Sequence, residues 1–121
     1  MADKINLSQK FSLFSDHWRP KIIARVNGQD VKAVKVKGEF PWHRHENTDE
    51  FFIVWKGRLR VEFRDYAVEL NHGECIVVSM GAEHRTCADE ETEMLCLELS
   101  GTVNTGNADA SGFTAPNNVH I

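Results

Sequence analysis

The sequence predicts an all-β domain closed as a sandwich or barrel, with the jelly roll as its natural closure and a short helix in front. Three observations predict it. From Ile22 to Leu99, β-branched, aromatic and aliphatic residues come in short runs, and Gly, Asn and Asp punctuate those runs at the spacing of turns. No helical pattern alternates with the runs, so βαβ units and a parallel sheet are excluded. The chain has 121 residues, the size of one domain with a real core and too short for two.

The elements follow in order. Asn6 can cap a helix, with Gln9 three residues on and Leu7, Phe11 and Phe14 along one face; Arg19-Pro20 ends the pattern, making residues 1–20 a helical lead-in. Ile22 to Val26 and Val31 to Val36 read as a hairpin through Asn27-Gly28, a pair that tolerates positive φ. Lys32, Val34 and Val36 share one face of the second strand, and its lysines are read as solvated or guarding a sheet edge. Further strands are expected over Glu50 to Trp55, Arg58 to Arg64, Tyr66 to Leu70, Glu74 to Val78, His84 to Cys87 and Met94 to Leu99. The acidic group Asp89, Glu90, Glu91 and Glu93 reads as a solvated hairpin between the last two. The barrel is thus expected over 21–100, and residues 101–121 as an irregular or partly disordered tail.

Charge and composition exclude several classes of function. With 14 Lys and Arg against 18 Asp and Glu, the net charge of −4 leaves no basic excess for nucleic acid. No apolar run approaches the ~20 residues of a membrane span, and MADKINLSQK lacks a secretory h-region, so a cytoplasmic location is expected. Cys75, Cys87 and Cys96 form no CxxC pair and are read as free, buried thiols.

The chemistry concentrates between Gly38 and Gly57 and between Gly73 and His84. His43 and His45 are two residues apart, so extended backbone projects both imidazoles to one side. Glu50 follows after a polar stretch that can turn, which lets the carboxylate face the histidines from a second strand; Asp49 and Glu46 are the fallback carboxylates. With Glu50 inward, Phe52 and Val54 line the cavity, while Phe51, Ile53 and Trp55 point outward and call for cover by the helix or, preferably, by a second copy in a homodimer. A turn at Ser79 to Glu83 lets His84 enter the same cavity. Three imidazoles and a carboxylate suit one divalent transition metal ion, Fe, Mn, Ni, Cu or Zn, with coordination positions left open. His17, His72 and His120 are read as surface or turn residues. Glu98 and Tyr66 are the candidate catalytic acids or bases, and Glu98 depends on which face of Met94 to Leu99 turns inward.

Gly38, His43, His45, Glu50 and Gly57 resemble the first motif of the cupin superfamily, and Gly73, Gly81 and His84 its second. The resemblance is to small single-domain cupins, the mannose-6-phosphate isomerase-like group among them, and covers residues 21–100. It implies a cupin-type double-stranded β-helix, a jelly-roll barrel with one metal in its cavity, and carries the ligand role onto His43, His45, Glu50 and His84. Three positions depart from the pattern: four residues rather than five separate Gly38 from His43, Ser79 replaces a proline, and Ala88 an asparagine. The implied function is a metal-dependent enzyme on a small molecule, of isomerase, epimerase or oxygenase type. The alternative is a non-catalytic metal- or metabolite-binding module.

Overall fold

Alternating burial along the chain from Lys21 to Leu99 produces seven strands in a computed structural model that describes residues 2–121. They are β1 (Lys21–Val26), β2 (Gln29–Glu39), β3 (Glu50–Lys56), β4 (Leu59–Glu62), β5 (Ala67–Leu70), β6 (Cys75–Val78) and β7 (Arg85–Leu99). The expected hairpin joins β1 to β2. Asn27 and Gly28 take φ of 52° and 75°, and Val26 pairs with Gln29 across the turn, as a tight turn with two left-handed residues requires.

All pairings between these strands are antiparallel, in the order β1-β2-β7-β3-β6, with β4 and β5 attached through β7. The 15-residue β7 is the hinge of the architecture. Its first part pairs with β4 (Val61 with Thr86), its second with β3 (Phe52 with Cys96), and β2 follows it along both. This corrects the sequence reading of two strands joined by an acidic hairpin. Between the pairs Val36–Thr92 and Gly38–Ala88, β2 contributes Lys37 alone while β7 contributes Asp89, Glu90 and Glu91. The acidic residues are an exposed bulge that bends one continuous strand, and a bend of this kind carries a strand from one half of a barrel to the other.

Inward residues of both halves form one core, including Val36, Val54, Leu59, Val61 and Met94. Each such side chain contributes about 1.5–3 kcal/mol when fully buried. Burial on β3 alternates as expected, with Glu50, Phe52 and Val54 inside and Phe51, Ile53 and Trp55 toward the outside.

The lead-in helix α1 (Leu7–Phe11) is capped by the Asn6 side chain, which accepts from the Gln9 amide at 3.0 Å. It is shorter than the apolar spacing suggested: Ser12 caps its end, its hydroxyl donating to the Gln9 carbonyl, and Phe14 lies beyond the last turn. The segment after it leans on β1 and β2, with Lys35 donating to the Phe14 carbonyl and Lys21 to Asp16. It therefore does not cover β3, two places away in the sheet. No helix among the described residues is long and apolar enough to cross a membrane.

Residues 101–121 are irregular but packed. Thr105 and Ala115 are buried, the Asn104 amide donates to the carbonyls of Trp18 and Phe113, and the Ile121 amide donates to the Ile22 carbonyl. A Cβ at Gly106 would collide with the Arg44 carbonyl, so the tail passes tightly over the loop that carries the histidines.

Candidate metal centre

His43 and His45 belong to the connection between β2 and β3 rather than to a strand. One antiparallel bridge fixes that connection: the His43 amide donates to the His84 carbonyl at 3.0 Å, and the His84 amide to the His43 carbonyl at 2.9 Å. A third bond, from the Gly81 amide to the His45 carbonyl, ties in the turn before β7. The polar stretch before Glu50 turns as the sequence suggested, held by the Thr48 hydroxyl on the Asp49 carbonyl and by the Met80 amide on the Asp49 carboxylate. The result brings one ligand atom from each of His43, His45, Glu50 and His84 within 4.8 Å of one another, all four residues being buried. The fallback carboxylates lie elsewhere: Asp49 faces Met80, and Glu46 is exposed and paired with Arg44.

The donor set fits a metal ion on its own chemistry. Nδ1 of His43 and of His84 each lie 2.9 Å from a backbone carbonyl, of Pro41 and Ala82 respectively. A carbonyl only accepts, so Nδ1 carries the proton and the neutral ring turns its Nε2 lone pair inward. The inward atoms then crowd: His84 Nε2 stands 3.2 Å from Glu50 Oε1 and His45 Nε2 3.3 Å from Glu50 Oε2. His45 Nε2 has no hydrogen-bond partner among the described residues. Lone pairs facing a carboxylate at such distances are stable only around a cation, a proton or a metal.

The electrostatics agree. Burial pushes the His43 imidazole down to about 4, and any positive charge at His84 adds to that, so it is neutral and available as a ligand at neutral pH. Burial by itself would raise Glu50, but positive charge at the facing His45 and His84 nitrogens outweighs it and holds the carboxyl well below its ordinary range. The Cys96 thiol, raised by burial, stays protonated and donates to Glu50 Oε2 at 3.6 Å. Glu98 is pushed up to about 9 by burial and by the neighbouring Glu50.

A cavity of about 50 Å³ opens beside this cluster, lined by His43, Glu50, Phe52 and Met94 together with Trp18 and Phe40. Met94, Cys96 and Glu98 all face inward, which settles the open question about this part of β7 and puts Glu98 in the cavity wall. Glu98 Oε2 has no hydrogen-bond partner among the described residues. Tyr66, the other catalytic candidate, is corrected: it stacks on Phe63 at 4.7 Å, is 58% exposed and does not line the cavity.

Lys32 is the cavity residue that the sequence reading missed. Read as solvated, it is 2% exposed and lines the cavity, its ammonium 2.8 Å from Glu98 Oε1. The signal was present, since Lys32 alternates in phase with Val34 and Val36, both core residues. Cys75 is likewise corrected, being exposed, while Cys87 and Cys96 are free and buried as expected.

Residues 31–100 match the family described as Cupin domain. This chain is a cupin. It is 47% identical to a cupin-2 domain containing protein from Shewanella frigidimarina NCIMB 400, with a TM-score of 0.78 over 78% of this chain and 93% of that one. Protein NMB1881 from Neisseria meningitidis is 30% identical, with a TM-score of 0.74 over 81% of this chain and 100% of that one. The Bacillus subtilis protein YdbB is 35% identical over 77 residues, 63% of this chain and 68% of the relative. The structure thus bears out the cupin barrel, the short helix and a buried cluster able to hold a metal.

Proposed function

We propose that this cupin is a metal-dependent enzyme that moves a proton on a small molecule, the isomerase or epimerase type of chemistry, with Glu98 as its acid or base. In this reading His43, His45, Glu50 and His84 hold one Fe, Mn, Ni, Zn or Cu ion. The observation that carries it is the Glu98 carboxyl, buried beside Glu50 in the wall of the cavity, with Oε2 receiving no donor from another residue among those described. A carboxyl oxygen buried without a donor is costly unless it has a task.

The ion when bound supplies Lewis acidity, which polarises a carbonyl or hydroxyl oxygen and acidifies the neighbouring C–H or O–H. The chain does the rest. Lys32 grips Glu98 Oε1 and leaves Oε2 as the oxygen that takes or returns the proton. Val34, Phe52 and Met94, with Trp18 and Phe40, make the apolar lining that keeps bulk water from the transfer. The proposal extends to the mannose-6-phosphate isomerase-like group, to a cytoplasmic location and to a homodimer through the apolar outer face of β3, where Trp55 remains 36% exposed.

The test is elemental analysis of the purified protein, followed by incorporation of solvent deuterium into a panel of small hydroxycarbonyl compounds with dioxygen uptake recorded in parallel. Deuterium incorporation that falls by about 10²–10⁴-fold in Glu98→Gln, at unchanged metal content, is the expected result. Dioxygen consumption without exchange would move the protein to the oxygenases. Bound metal with neither activity would leave a metabolite-binding module.

A further inference from the structure

The Lys32–Glu98 pair is more than the support of a proton carrier. Both side chains are 2% exposed, and both line a cavity whose remaining walls are largely apolar. Such a pair is poor evidence of stabilisation, because desolvating two charges offsets most of their attraction and an apolar pair of similar size serves a core as well. The Lys32 ammonium has three hydrogens. One meets Glu98 Oε1 at 2.8 Å, and a second reaches the Thr102 carbonyl at a long 3.4 Å. The third is free for a ligand, and Lys32 is the only lysine or arginine among the described residues that line the cavity.

The charge balance tells what that ligand is. A divalent ion and the Lys32 ammonium bring three positive charges against the two carboxylates of Glu50 and Glu98, and a proton on Glu98 only widens the excess. A buried surplus of positive charge is stable when an anion completes it. A volume of about 50 Å³ and one available ammonium hydrogen suit a small monocarboxylate better than a phosphate, which calls for several donors.

We infer that Lys32 is the substrate-selecting residue of this site, and that the cavity takes a small monocarboxylate bearing a hydroxyl or carbonyl group. The carboxylate lies against the Lys32 ammonium, and the second oxygen function points toward His43 and Glu50. The inference deepens the proposed metal-dependent reading and rests on it.

Calorimetric titration of the zinc-loaded chain tests both, with lactate, its uncharged isostere lactamide and inorganic phosphate as probes and elemental analysis of zinc alongside. The expected result is lactate binding at least about 10-fold tighter than lactamide, and a loss of at least about 10-fold in lactate affinity in Lys32→Met at unchanged zinc content, each about 1.4 kcal/mol. Equal binding of lactate and lactamide, no binding of lactate, or lactate affinity untouched by Lys32→Met overturns the inference while leaving the metal centre standing. Phosphate binding more tightly than lactate overturns the carboxylate class. A wild-type chain that takes up no zinc overturns the metal reading and this inference together. Should Lys32→Met lose its near-ultraviolet circular dichroism, Lys32→Met/Glu98→Gln removes both charges, and the preference for lactate over lactamide is expected to vanish there too.

Discussion

Two groups of ion pairs in this barrel use the same chemistry to opposite effect. On the outer face of β4 and β7, Glu62 receives Arg60 and Arg85 at 2.7 Å each, and Arg85 also reaches Glu39 at 2.7 Å. Water reaches these groups, so their attraction is screened and each pair is worth about 0–1 kcal/mol. Inside, Lys32 and Glu98 pair at 2.8 Å with almost no exposure, next to Glu50 and the three histidines. There every unmatched charge is expensive. The outer ladder is replaceable surface, whereas the inner pair is the one we infer a ligand uses.

The sharpest way to break this comparison is to remove the inner ligands. His43→Ala/His45→Ala is expected to abolish metal binding by elemental analysis while near-ultraviolet circular dichroism stays native, since both histidines sit on a loop outside the main apolar core. Loss of folding would make them structural. Next in size is Lys32→Met, which leaves Glu98 Oε1 without its donor and is expected to lower the unfolding free energy by about 1–3 kcal/mol in urea. Lys32→Met/Glu98→Leu should recover most of that loss. A double variant as unstable as the single one would mean the pair itself holds the barrel together.

Smaller effects are expected outside. Trp55→Lys places a charge on the apolar outer face of β3 and should weaken self-association at least about 10-fold by sedimentation. A sedimentation mass identical to wild type across dilution removes the dimer. Glu62→Gln should cost about 0–1 kcal/mol. Hydrogen bonds from Arg60, then Arg85, hold the Glu62 carboxyl below its ordinary value of 4.5. Its stabilisation is therefore complete above that value and lost as pH falls through the lower folded one. In Glu62→Gln the acid limb of the stability curve should flatten below pH 4.5; an unchanged acid limb would show that this ladder contributes nothing.

How far the site could be read from the chain differs from residue to residue. His43, His45 and Glu50 were legible because local spacing across one turn controls them, and His84 because a short turn precedes it. Glu98 was half legible: its phase with Met94 and Cys96 was visible, but nothing local says which phase faces in. Lys32 was misread because charge type was allowed to outweigh its phase with Val34 and Val36. The β7 bulge was misread because four acidic residues resemble a solvated turn, while only pairing with β2 reveals one continuous strand. Asn104, which ties the tail to Trp18, left no signal in the sequence.

The sequence by itself determined the all-β class, the Asn27-Gly28 hairpin and the four candidate ligands, because period, turn chemistry and spacing act over a few residues. Tertiary structure alone decided that Tyr66 lies outside, that Lys32 meets Glu98 across 66 positions of chain, and that Glu98 Oε2 is left unpartnered in the cavity. Burial and charge pairing are properties of what packs around a group, and for these residues the partners come from strands distant in the chain.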